Sequence, residues 1–341
     1  MYAFGSMGRE SYRRVQVETR RGACAAARRA VIGALMAVLP LSACDRAPET
    51  NAGAGIGTGA RAQEDARRAA EQYLSAGRLD DAKTITARLV ELTPDGVAVL
   101  ELHARVLLAE ALTTHGESRR ERLDLAARAY LAAADADASN AALQHAAGTA
   151  LDQAGRLDEA LARYERAASL DPSNAQYPLY LGMALRRLDR LDEAIGALDR
   201  ARALEPDAAP ILVARADALL ALGRAEAALA DSRRARTLDR ADPGARIVEA
   251  RSLRALGRSL EAAELLSALD ERMRSNEALA QELAGALLEI DRPADAASAW
   301  EASLVADPRR WLSALGAAEA WLAAGDLIRA RARLELAFEL A

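Results

Sequence analysis

One phrase returns through most of this chain: GRLDDA at 77, GRLDEA at 155, DRLDEA at 189, GRAEAA at 223, GRSLEA at 257, DRPADA at 291 and GDLIRA at 325. From 155 onward each return comes 34 residues after the last, and the first step, 78 residues, is two such periods plus ten. A fixed period of this length constrains the fold more than composition does. Each unit is a small supersecondary element that cannot bury its apolar side alone, so units must stack and share a core.

With units begun at 63, 97, 141, 175, 209, 243, 277 and 311, small and large residues alternate at helical spacing. Position 20 is Ala in every unit, from Ala82 and Ala126 to Ala330, and position 8 is Ala or Gly, as at Ala70, Gly148 and Gly182. Position 11 is large in most units (Tyr73, Leu151, Leu185, Leu219, Leu253, Leu287, Trp321), and position 24 often is (Tyr130, Tyr164, Leu198, Trp300, Leu334). This pattern predicts two close helices per unit, with knobs meeting holes. Gly77, Gly155, Gly223, Gly257 and Gly325 fall where a first helix ends in a left-handed turn, and Asp189 and Asp291 replace Gly in two units. Asp158, Asp192 and Glu226 sit in the first turn of second helices, Pro94, Pro172, Pro206 and Pro308 close them, and Asn140, Asn174, Asp242 and Asn276 are placed to cap the next unit.

On these residues, the chain from 63 to 341 resembles the tetratricopeptide repeat family. The resemblance implies an all-α fold, a right-handed α-α superhelix (a TPR solenoid) of about eight helix-turn-helix repeats. Three departures stand out. No unit has Trp at position 4; position 24 of the fifth unit is Ser232; and position 32 loses its Pro at Ala138, Arg240 and Arg274. The second, fifth and sixth units are therefore expected to be less well defined, and the fifth is expected to be the softest. The second carries ten extra residues around 113–124, read either as a protruding loop or as a longer helix pair with a spacer. Ser118 and Glu121 have capping-box spacing, which predicts a helix restarting near Arg119.

Catalytic and metal signatures are missing from the sequence. The three histidines, His103, His115 and His145, form no H-E-x-x-H pair or other metal spacing, and no glycine-rich loop precedes Lys and Ser or Thr. Gly55, Gly57 and Ala60 have a dinucleotide-like spacing but no strand or βαβ unit around them. The expectation is a non-enzymatic chain with no cofactor and no metal. Stacked hairpins instead offer an extended concave surface.

The family resemblance implies that first-helix positions 2, 5, 9 and 12 line that surface. Here they give His145, Thr149, Asp152, Met183, Arg186, Val213, Asp217, Leu220, Ile247, Arg251 and Arg254. The mixture suits an extended peptide or a partner helix. The Lys and Asn residues with which chaperone-binding relatives clamp a terminal carboxylate are missing. Arg186, Arg251 and Arg254 read either as contacts for an acidic segment or as solvated charges, and Glu159 and Arg163 as an i,i+4 pair.

The amino terminus reads as an export signal. Arg20, Arg21, Arg28 and Arg29 flank the apolar run AVIGALMAVLPL at 30–41, too short to span a bilayer comfortably, and LSAC at 41–44 closes it. This stretch resembles the lipobox of bacterial lipoproteins, which implies cleavage before Cys44, acylation of its sulfur and a lipid anchor in the inner or outer membrane facing the periplasm. The other reading is a signal anchor with an incidental Cys. The expected organisation is a signal peptide at 1–43, a Gly/Ala-rich tether at 44–62 and the repeat array at 63–341.

Charge and the carboxyl terminus complete the picture. The first 43 residues hold seven Arg and two Glu, so the rest carries a net charge of −10 against −5 for the whole chain, unfavourable for nucleic acid. Leu334, Phe338 and Leu340 lie on or near one face of the final segment, which suggests an end-face contact covered by a second copy, a partner protein or further residues, with a homodimer as the working expectation. The expected function is a membrane-anchored interaction scaffold of the cell envelope. The alternatives are a cytoplasmic adaptor with a misassigned start and an accessory subunit that positions a partner enzyme's substrate.

Overall fold

The computed structural model describes residues 57 and 59–341, and among these there is helix but no strand. The export signal, Cys44 and most of the expected tether lie outside the described residues. The rest falls into two compact units, one ending at Arg240 and one beginning at Ala241.

The first unit holds five helical hairpins: α1 (Ala60–Ser75) with α2 (Leu79–Leu92), α3 (Val97–Thr113) with α4 (Glu117–Ala136), α5 (Ala141–Gln153) with α6 (Leu157–Leu170), α7 (Gln176–Arg187) with α8 (Leu191–Leu204), and α9 (Ala209–Ala221) with α10 (Ala225–Leu238). The second holds three: α11 (Pro243–Ala255) with α12 (Ser259–Ser267) and the short α13 (Glu271–Arg274), α14 (Glu277–Glu289) with α15 (Pro293–Ala306), and α16 (Trp311–Ala323) with α17 (Leu327–Leu340). Within each unit, successive hairpins pack on one another.

The recurring phrase encodes the hairpin turn. Its first residue is left-handed whether Gly or Asp: φ is 82° at Gly155, 61° at Asp189 and 58° at Asp291. The next residue's N–H then bonds back to the carbonyl of position 11, as from Arg156 to Leu151 (2.9 Å), Arg190 to Leu185 (3.0 Å) and Arg258 to Leu253 (2.8 Å). This is the 6→1 bond of a Schellman ending, which uses a carbonyl that the helix itself leaves unpaired. The Arg side chain reaches forward to a carboxylate three residues on: Arg156 to Glu159 and Arg190 to Glu193 at 2.7 Å, and Arg258 to Glu261 at 2.6 Å. Glu159 is thus engaged by Arg156, and Arg163 turns to Asp135 (2.8 Å) and Gln144 (3.1 Å), so the expected Glu159–Arg163 pair does not form. Asn140, Asp242 and Asn276 accept bonds from the first N–H groups of the helix that follows each, and Asn174 accepts from Gln176 N at 3.0 Å.

The core is built of small residues met by large ones. The position-20 alanines are fully buried from Ala82 to Ala296 and nearly so at Ala330. At position 8, Gly148 lies under the Tyr164 ring and Gly182 under Leu198, closer than a methyl group would permit.

Of the two readings of the second hairpin, the longer helix pair holds, and the expected capping box is corrected. The ten extra residues lengthen both helices of the second hairpin, to 17 and 20 residues, leaving only Thr114–Gly116 between them. α4 begins at Glu117 behind Gly116 (φ 70°), with no side-chain cap, so Ser118 and Glu121 lie inside the helix. Glu110 of α3 ties the pair together through Arg122 of α4 at 3.4 Å and joins it to the first hairpin through Lys83 of α2 at 2.8 Å. The fifth hairpin is regular despite Ser232. Ser232 is buried and bonds to Leu229 O at 3.2 Å, and α10 runs unbroken for 14 residues. The break comes in the sixth, where α12 has nine residues. There the Asp270 carboxylate accepts the Met273 N–H at 2.8 Å and starts a new turn instead of continuing the old one.

Candidate functional site

The groove residues expected from the sequence all lie on first helices and are all half-buried: His145, Thr149 and Asp152 on α5; Met183 and Arg186 on α7; Val213, Asp217 and Leu220 on α9; Ile247, Arg251 and Arg254 on α11. The first three helices belong to the unit that ends at Arg240 and the fourth to the other.

In the first unit, the charged groove residues are paired between neighbouring first helices. Arg187 of α7 pairs with Asp152 of α5, and Arg186 pairs with Asp217 of α9 at 3.0 Å. Adjacent first helices are thus fastened across their shared surface. The apolar positions of the same set on α7 and α9, Met183, Val213 and Leu220, are each partly exposed. This surface combines neutralised charge with accessible apolar area.

His145 sits within an aromatic cluster. Its ring centroid is 4.6 Å from Tyr180, 5.4 Å from Tyr177 and 5.7 Å from Tyr164. Its Nε2 is buried with no hydrogen-bond partner. Burial among these rings disfavours the imidazolium and lowers the pKa to about 4. Burial likewise raises the Tyr164 hydroxyl, which donates to Thr149 Oγ1 at 3.4 Å. His145 is therefore neutral at ordinary pH and serves as a packing group at the edge of the surface.

In the second unit, Glu282 of α14 is 4% exposed and accepts from both Arg251 (2.6 Å) and Arg254 (2.8 Å). Arg254 also reaches Glu289 at 2.7 Å, and Glu289 takes the Ser259 hydroxyl at 2.5 Å. Burial would lower the Arg254 pKa, but the bonds to Glu289 and Glu282 outweigh it and raise it. Burial would raise Glu289, but the bonds from Arg254 and Ser259 hold it below the usual carboxylate range. The Arg254 guanidinium lies directly over Gly285, where a Cβ would approach its Cζ to 2.8 Å. Arg251 and Arg254 are thus neither solvated nor held in reserve for an acidic ligand; they are clamped within the fold.

The sequence reading missed Arg187, Glu282 and Glu289, which lie outside positions 2, 5, 9 and 12. A signal for them exists. Arg187 follows Asp152, and Glu289 follows Arg254, by 35 residues; Glu282 follows Arg251 by 31. Opposite charges at one period plus one, or minus three, mark the inter-hairpin ladder. Leu334, Phe338 and Leu340 lie on α17, with Leu334 and Phe338 exposed and Leu340 half-buried. No described helix is long and apolar enough to cross a membrane, and no group of three metal-ligating side chains occurs among the described residues.

Comparison with known proteins agrees with this architecture. The tetratricopeptide repeat family model matches residues 145–209 and 179–246. A solved tetratricopeptide repeat protein from Parabacteroides merdae is 18% identical, over 70% of this chain and 93% of that one, with a TM-score of 0.53. The structure of Pseudomonas aeruginosa pilF is 20% identical, over 65% and 98%, with a TM-score of 0.51. A chain of the APC/C Cut9–Hcn1 hetero-tetramer is 16% identical, over 84% and 54%, with a TM-score of 0.52. No curated protein sequence matches significantly. At these identities the solved structures establish a shared fold, the TPR solenoid, and say nothing of a shared partner.

Proposed function

Because residues 145–246 are tetratricopeptide repeats within a chain of stacked hairpins, we propose that this protein is a non-enzymatic scaffold that holds a protein or peptide segment on its first-helix surface. The observation that carries this reading is that the charges Asp152–Arg187 and Arg186–Asp217 pair between neighbouring first helices while Met183, Val213 and Leu220 on those helices stay partly exposed. With those charges satisfied internally, affinity must come from apolar contact and backbone hydrogen bonds. The fitting ligand is an extended segment or helix with an apolar edge, rather than an acidic tail.

We further infer that Cys44 carries a lipid anchor that holds the scaffold in a bacterial cell envelope, in keeping with the lipobox-like LSAC. Assembly of a pilus, a secretion machine or a polysaccharide exporter is the setting that such lipoproteins suggest. Two experiments test the reading. A photo-crosslinking residue at Met183 or Val213 is expected to trap a defined partner in native membranes, while the same residue at the exposed Arg200 does not; equal labelling from all three sites counts against the groove. Incorporation of labelled palmitate is expected in the parent chain and lost in Cys44→Ser, and a parent chain that takes up no label rules out the anchor.

A further inference from the structure

The last helix, α17, carries an exposed face that is apolar at both ends and charged in the middle. At 3.6 residues per turn, Leu334, Leu327, Phe338, Arg331, Glu335 and Ile328 fall within about 120° of the helix circumference. Ile328 is 84% exposed, Phe338 74% and Leu327 66%, with Leu334 at 41%. Arg331 and Glu335 lie between them, one turn apart, and pair at 2.8 Å.

The repeat itself shows that this register is built to be covered. Leu334 and Phe338 stand one period after Trp300 and Leu304. In that preceding hairpin, the helix that follows, α16, covers both: Gly316 lies against the Trp300 ring, and Leu304 is buried with Ala314 and Ala317. On α17, the residues at the same two positions are open.

We propose that a second copy of this chain covers the α17 face, with the two α17 helices antiparallel about a two-fold axis near residue 333. The charge pattern favours this occupant because it complements itself. An antiparallel copy brings Arg331 to the partner's Glu335 and Glu335 to the partner's Arg331. The same register sets Leu327 and Ile328 against the partner's Phe338. Such a contact is isologous and closes on itself. Head-to-tail stacking would instead set this stripe against the outer face of α1, where Arg61, Asp65, Arg68 and Gln72 are exposed and polar.

The test uses the full chain in mild detergent, with sedimentation equilibrium as the readout. Arg331 and Glu335 are 82% and 60% exposed, so single substitutions there leave the fold intact, which circular dichroism checks. Arg331→Glu and Glu335→Arg each place like charges opposite one another at both contacts, and each is expected to weaken self-association at least about tenfold. Mixing the two variants makes both contacts attractive again, and a mixed dimer near parental affinity is expected. Phe338→Ser weakens association alone and in any mixture. A parent chain that stays monomeric at about 100 µM overturns the proposal and leaves the face to another occupant, such as a partner helix or a lipid surface. A dimer indifferent to both charge changes, or a mixture that does not recover, also overturns it.

Discussion

At Gly182 the second helix of its hairpin comes so close that a methyl group has no place. An added Cβ would lie 2.5 Å from Leu198 Cγ and 3.1 Å from the Ala194 carbonyl. Gly196, on the exposed side of α8, has nothing within 4 Å of the same point. Equal exchanges should therefore have opposite signs. Gly182→Ala is expected to lower stability by about 1–3 kcal/mol through overpacking, despite the better helix propensity of Ala. Gly196→Ala is expected to raise it by about 0.5–1 kcal/mol. Urea denaturation of the two variants checks both, and a stabilised Gly182→Ala would refute the close approach. His145 makes a pH prediction. Its folded pKa of about 4 lies below the ordinary 6.5, so the unfolded chain binds the proton first as pH falls. Stability is whole above about pH 6.5 and declines toward pH 4, by about 2–3 kcal/mol from this residue. His145→Phe, which keeps an aromatic ring, is expected to flatten that part of the stability–pH profile.

Between elements, what matters is how one hairpin is tied to the next. Removing the carboxylate of Glu282 leaves Arg251 and Arg254 half-buried without their shared acceptor. Glu282→Ala is expected to cost about 2–4 kcal/mol, read from thermal or urea unfolding. Arg251→Glu with Arg254→Glu is worse still, because it gathers carboxylates around Glu282, so any loss of binding in that variant reports damage to the fold. The hairpins were largely legible in the sequence, because left-handed turns and close helix packing demand particular residues at Gly155, Asp189 and Ala160. The ladder was not, because its partners sit one period apart with an offset, and single-unit reading does not look there. The break after Ser267 falls in a unit that Arg274, standing where Pro was expected, had marked as less well defined, but its place was hidden. Its cause is local competition by Asp270 for backbone N–H groups, whereas Ser232, small and polar at a large-residue position, is simply absorbed into α10.

Across the whole molecule, strict periodicity made the all-α repeat fold readable, since few architectures reuse one short phrase at 34-residue steps. The same periodicity concealed the division at Arg240, because the step from 223 to 257 is as regular as the others. The groove was legible as a set of positions and not as a chemistry. Which charges are available to a partner depends on ion pairs made between repeats. From those pairs follows a further expectation: once a groove ligand is in hand, its affinity changes less than about threefold between 50 and 300 mM salt, by isothermal titration. A steep fall with salt would mean that the Asp152–Arg187 and Arg186–Asp217 pairs open to receive the ligand. The elongated second hairpin bears on this too. Its helices of 17 and 20 residues, against 13 and 14 in the hairpin that follows, raise its tip by about one helical turn. An array of near-identical steps offers a sliding chain no origin; for a segment held as proposed, this taller step would supply one, a shoulder from which to count register.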